Sequence, residues 1–214
     1  MLDILLTYHS AFLSGLKTTL ELLLLIAVAS IPLGILVGVI GTRMMPALGS
    51  VVSTLRFLTS SIPVLVLLFW LHYPLQSILH IVVNPFWTTV LALGLVNFIL
   101  TADIVRREMV LFPNSYREAA ATLGLSLWST ARFIELPILM RRIIPQLLSN
   151  QGNMLEYTLL ASFISVPELF RTAQTINASI YRPVEVYSLL ILFFLAILGP
   201  LHLAVRKLKK KYAI

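Results

Sequence analysis

Cysteine is absent from the 214 residues. That excludes a disulfide framework, a thiolate metal site and a cysteine nucleophile together. Charge is scarce, at 12% of residues, about half the share typical of a soluble domain. So little charge cannot cover a globular surface, so a soluble monomer is excluded as the default. With 58% hydrophobic residues and a mean hydropathy of +0.93, a disordered chain is excluded too. No GxxxxGK[ST] run is present to cradle a nucleotide, and His9, His72, His80 and His202 are scattered without ligand spacing. An integral membrane protein remains.

Long uncharged runs support that class. Leu22 to Ile40 is 19 residues without a charge, Phe57 to Ala102 is 46, and Val186 to Val205 is 20. A core of about 30 Å takes some 20 helical residues. The 46-residue run suits two spans, broken around Tyr73–Pro74 and Asn84–Pro85. Between Arg142 and Glu168 the only charge is Glu156, which gives a more polar span. The expectation is one all-α, polytopic transmembrane domain over residues 1–214, with five spans near 18–40, 54–72, 86–106, 137–165 and 184–206. Asp3, the lack of a basic start and the lack of a small-x-small site after Ile40 speak against a cleavable signal peptide.

Lys and Arg placement orients the spans. With the N-terminus outside and the C-terminus cytoplasmic, only Lys17, Arg171 and Arg182 lie outside, and the other 13 basic residues lie inside. This accounts for the net charge of +7. The basic run at 206–211 is then a stop-transfer and lipid-headgroup anchor, not a nucleic-acid site.

The segment from Arg106 to Arg142 is the longest and most polar between spans. Ser115-Tyr116-Arg117-Glu118 has the form of a capping box, with serine as N-cap and Glu118 three residues on. Ala119, Ala120 and Ala121 favour a helix, and Gly124 suits its end. Leu127 to Ile134 is a second short stretch, and Pro137 suits the first turn of the following span. The expectation is a cytoplasmic helix-turn-helix whose small residues let another protein approach closely. Glu118 and Gly124 also fit a purely structural role as cap residues.

Glu118-Ala119-Ala120, Gly124 and Ile134-Glu135-Leu136-Pro137, in that spacing, resemble the EAA signature of membrane subunits of ATP-binding-cassette importers. Ser61-Ile62-Pro63, Asn84-Pro85-Phe86, Val166-Pro167-Glu168-Leu169 and Arg182-Pro183-Val184-Glu185-Val186-Tyr187 look like landmarks of the polar amino-acid branch. The resemblance covers most of residues 12–205. It implies a type I importer-like permease of a bacterial cytoplasmic membrane, non-catalytic and without a cofactor of its own. It also implies a cytoplasmic ATPase, which would bind ATP and magnesium, docked on coupling helices at 114–133. Ser115, Glu118, Ala119, Ala120 and Gly124 would form that docking site. A second permease subunit, an external solute-binding protein and a polar amino-acid substrate complete the implied system.

For the substrate path, Gln146, Asn150, Asn153 and Tyr157 share one helical face. A polar stripe in hydrocarbon faces either a water-lined path or a hydrogen-bonding seam with another helix. Asn97 and Thr158 join it as candidates, and so does Glu156, off that face. Glu156 is either an ammonium partner or a solvated residue near the outer interface. The family more often has lysine at this position, which leaves the substrate type open. Asp103 is expected to pair locally with Arg106 or Arg107, and Gly34 with Gly38 forms a GxxxG packing motif. Two other readings stand beside the importer. A secondary transporter or channel would show an internal repeat or several intramembrane charges. A membrane enzyme would need a nucleophile–base pair or metal ligands within the spans.

Overall fold

The computed structural model describes residues 1–212, and among them every regular element is helical. Ten α-helices follow in order: α1 Leu2–Arg43, α2 Pro46–Ser61, α3 Val64–His72, α4 Pro74–Leu79 and α5 Pro85–Val110. Then come α6 Asn114–Thr122, α7 Leu127–Thr130, α8 Leu136–Thr158, α9 Leu169–Ile180 and α10 Pro183–Tyr212. A π-helical stretch, Ala131–Glu135, joins α7 to α8, and a 3-10 stretch, Leu159–Ile164, follows α8. Helices α1, α5 and α10 are each long and apolar enough to cross a membrane.

The packing centre is α1 against α5, and glycine sets the distance. A Cβ on Gly34 would stand 2.7 Å from Thr101, and one on Gly38 would stand 2.7 Å from the Ala102 carbonyl. Only a residue without a side chain lets these two helices approach so closely, so the GxxxG motif has α5 as its partner. Thr101, buried and facing Gly34, belongs to this seam. Farther along α1, Thr19 Oγ1 accepts from the Leu169 amide at 3.1 Å, which docks the start of α9.

Several expected boundaries change. The first span extends to both sides of 18–40, with a kink at Tyr8 (φ −108°, ψ 15°). The second, expected as one helix over 54–72, is bent: α2 meets the segment Val64–Leu79 at 95°. Pro63 is the cause, because the ring excludes helical geometry from the residue before it, and Ile62 is extended (φ −100°, ψ 122°). Pro137 lies in the first turn of α8, as expected. The π-helical turn carries the backbone without a break from α7 into α8, and its wider loop accommodates the missing proline donor.

Candidate functional site

Helices α2, α3, α5, α8 and the end of α10 enclose a cavity of about 700 Å³. The polar face of α8 lines it: Gln146, Asn150, Asn153 and Tyr157 all reach the cavity. The stripe read from sequence is therefore one wall of an open space. It is also a seam. Asn150 Nδ2 donates to Asn97 Oδ1 at 2.6 Å, Gln151 Nε2 donates to the same oxygen at 3.1 Å, and Asn97 Nδ2 donates to Ser30 Oγ at 2.6 Å. This buried chain ties α8 through α5 to α1. Asn150 thus both lines the cavity and takes part in the seam.

Three candidates lie elsewhere. Asn97 is fully buried in the seam, not on the cavity wall. Thr158 is fully buried and donates to the Leu155 carbonyl one turn back. Glu156 is exposed, away from the cavity, as its angular offset from the stripe requires. None of these three faces the space that Asn153 and Tyr157 face.

Sequence reasoning missed the charge on the opposite wall. Arg56, Arg107 and Lys209 line the cavity, and no acidic side chain does. Asp103 sits behind them, buried, with Arg106 at 2.9 Å, Arg107 at 3.0 Å and Arg56 at 3.8 Å. The local pairing expected for Asp103 holds, and it extends across to α2. Glu108, which accepts from Gln146 Nε2 at 2.7 Å, is a second carboxylate here, and against Arg56, Arg106, Arg107 and Lys209 the two leave this end of the cavity positive.

The short helices α6 and α7 stand between α5 and α8 in the chain. Gly124 adopts φ +72°. Its amide donates to Ala121 O and the Leu125 amide donates to Ala120 O, each at 3.0 Å. These two bonds close the end of α6 in the Schellman pattern, where glycine carries least strain. The expected capping box is absent. Helix α6 starts at Asn114, with Pro113 before it (φ −65°, ψ 127°), and no side chain caps it. Proline already sets the entry geometry, so Ser115 falls inside the first turn and its hydroxyl caps nothing. Ser115, Glu118, Ala119 and Gly124 are exposed, whereas Ala120 is buried. Leu123, Leu127, Trp128 and Phe133 lie bare beside them, a patch of the kind that marks a protein or membrane contact.

What holds α6 in place is Glu135. This buried carboxylate pairs with Arg43 at the end of α1, and with Arg117 of α6 at 2.7 Å. Arg117 also lies 5.3 Å above the Phe112 ring. Glu135 belongs to the EAA-like motif, but its two partners stand 92 and 18 residues away in the chain, and spacing alone does not reveal them.

At the other end, Glu168 caps α9. Its carboxylate accepts from the Phe170 amide at 2.8 Å and the Arg171 amide at 2.6 Å. The residue is wholly buried, and burial raises its pKa to about 7 against the lowering effect of the two amides. The folded chain therefore binds this proton more tightly than the unfolded chain, whose carboxyl titrates near 4.5. Stability from this group is full below about pH 4.5 and is lost as pH rises through about 7. The detergent-solubilised chain should unfold at a higher temperature at pH 5.5 than at pH 7.5. Glu168→Gln should flatten that difference, and an equal pH slope in the two chains would refute it.

A bundle of apolar helices around an amide-lined cavity, with short exposed helices between α5 and α8, is a membrane-embedded permease. Residues 30–212 match the family model described as the binding-protein-dependent transport system inner membrane component, and the chain belongs to that family. It is 29% identical over 153 residues to the glutamine transport system permease protein GlnP of Escherichia coli K12, covering 71% of this chain and 70% of that protein. It is 28% identical over 207 residues to the probable glutamine ABC transporter permease protein GlnP of Bacillus subtilis, covering 94% of each. The crystal structure of an amino acid ABC transporter with histidines shares the fold at a TM-score of 0.85 and 22% identity, over 97% of this chain and 96% of that one.

Proposed function

We propose that the chain is the permease subunit of an ATP-driven importer of polar amino acids. The observation that carries this reading is that the same helices hold an amide-lined cavity and, through a separate buried ion cluster at the end of α1, an exposed EAA-like helix pair. The names of the glutamine permease relatives support the substrate class, as does that of the histidine/lysine/arginine/ornithine permease HisQ of Salmonella typhimurium, 25% identical over 190 residues.

In this reading five spans cross the membrane: α1, bent α2–α3, α5, α8 and α10. The N-terminus is outside, and the basic ends of α1, α5 and α10 are cytoplasmic. An ATPase holding ATP and magnesium docks on the 114–133 helices through Ser115, Glu118, Ala119, Ala120 and Gly124, a second permease subunit closes the open side of the cavity, and an external binding protein delivers the solute. Amides and the Tyr157 phenol suit the two charged ends of an amino acid, because each offers a donor or an acceptor as required. Arg56, Arg107 and Lys209 attract a carboxylate and repel a second positive charge. That favours a neutral or acidic side chain on the substrate over a basic one.

The test separates path from seam. Asn153 is exposed on the cavity wall and makes no side-chain hydrogen bond among the described residues. Asn153→Leu should raise the KM for uptake about tenfold, the loss of one or two hydrogen bonds to a polar solute, with the unfolding temperature unchanged. Asn97→Leu should do the reverse, lowering the unfolding temperature by stranding Asn150 and Ser30. Asn153→Leu leaving KM untouched would remove the cavity from the substrate path.

A further inference from the structure

A second cavity, of about 340 Å³, opens on the far side of α5 from the amide-lined one. Its walls are apolar side chains of three span helices: Ile35 and Val39 of α1, Val105 and Met109 of α5, Met140 and Ile143 of α8. Its mouth is different. Arg43, Trp128 and Arg132 gather there, at the end where α1 stops. Ile35 is eight residues up α1 from Arg43, about 12 Å at helical rise. The groove is thus dry along its length and cationic at one end.

The charge at the mouth is not neutralised within the chain. Glu135, the carboxylate beside Arg43, is shared with Arg117, which leaves that trio with one excess positive charge. Arg132 is exposed and has no carboxylate within ion-pair distance among the described residues, and its guanidinium lies 5.9 Å from the Phe133 ring centroid. Two guanidiniums at the edge of a hydrocarbon slot match one chemistry closely. A phosphate diester takes a planar fork, an acyl chain takes the slot, and tryptophan suits the boundary between them.

We propose that this groove is a binding site for an anionic phospholipid, with one acyl chain between α1, α5 and α8 and the headgroup phosphate on Arg132, the guanidinium at the mouth that Glu135 does not pair. The leaflet, the cytoplasmic one, rests on the orientation proposed above; the site itself does not. Because the π-helical turn carrying Arg132 also carries Glu135, the lipid would brace the segment that holds α6 against the spans.

The experiment uses Trp128 as the reporter. The chain has three tryptophans, so Trp70→Phe with Trp87→Phe leaves only Trp128. That chain is placed in nanodiscs of phosphatidylcholine doped with phosphatidylglycerol, with brominated acyl chains on one lipid at a time. Both leaflets then carry the same lipid, so the outcome does not depend on which end faces the cytoplasm. Brominated phosphatidylglycerol should quench Trp128 at about fivefold lower mole fraction than brominated phosphatidylcholine, the preference expected for one basic residue near a bilayer surface. Arg132→Gln should bring the two lipids to parity, and Arg132→Lys should keep part of the preference. Equal quenching in the unmodified groove, or a preference that survives Arg132→Gln, would overturn the proposal. So would protection of Trp128 from both lipids in chain co-purified with its ATPase, which would give the groove to a protein partner.

Discussion

Gly124→Trp is expected to abolish ATP-driven uptake, by about 100-fold or more, in a chain that still inserts and accumulates normally. The structure separates two costs that such a change combines. The first is backbone strain, because Gly124 sits at φ +72°, and a side chain there costs about 1 kcal/mol. The second is steric, and it does not arise inside the chain: nothing stands within 4 Å of the position a Cβ would take. The indole would therefore project into the space that the proposed ATPase fills. Blocking one packed position at an interface costs about 2–4 kcal/mol, which corresponds to roughly 30- to 1,000-fold in association. Gly124→Asn is the control, since asparagine tolerates the left-handed region and ends helices well. It should retain most uptake. Measured in proteoliposomes with matched chain abundance, a Gly124→Trp chain that transports normally would leave Gly124 as a helix end and nothing more.

Glu135→Gln should have the second largest effect. The buried carboxylate is the single acidic group between Arg43 and Arg117, and few other contacts tie α6 to the spans. Glutamine is close in shape but neutral, so both guanidiniums lose their counter-charge. Removing one partner of a buried pair costs about 3–5 kcal/mol, and the half-exposed arginines reduce this to about 2 kcal/mol here. The loss falls on the attachment of α6, not on the spans. Amide hydrogen exchange across 114–122 should quicken by about 30-fold, while exchange in α5 and α8 stays as it was. Uptake should fall at least tenfold, because a loosened coupling helix transmits little motion. Unchanged exchange in α6 would show that Glu135 does not hold it.

What the sequence made legible follows from what local physics encodes. Uncharged runs and basic ends located α1, α5 and α10, and the bent apolar pair after α1, since desolvation acts on each segment independently of its neighbours. The stripe Gln146, Asn150, Asn153 and Tyr157 was visible because helical periodicity puts it on one face, and the cavity lies there. Gly124 was visible because glycine at a helix end has a backbone cause. The bend at Ile62–Pro63 was written locally too, yet an uninterrupted apolar run hid it. The partners of Glu135, the Asn97 seam and the basic wall of Arg56, Arg107 and Lys209 were not legible. Each joins residues far apart in the chain, and only helix packing brings them together. Ser115 shows the converse: a sound local motif was pre-empted by Pro113, whose fixed φ had already started the helix.

The most direct test of the whole account is uptake of radiolabelled glutamine by proteoliposomes. They would hold the complex that co-purifies with this chain, with ATP inside and an external binding protein added. The account predicts that an ATPase subunit is recovered with the chain, and that uptake needs both ATP and the binding protein. Uptake of the same solute by the purified chain alone, driven by its gradient and indifferent to ATP, would contradict it and make the cavity that of a secondary transporter.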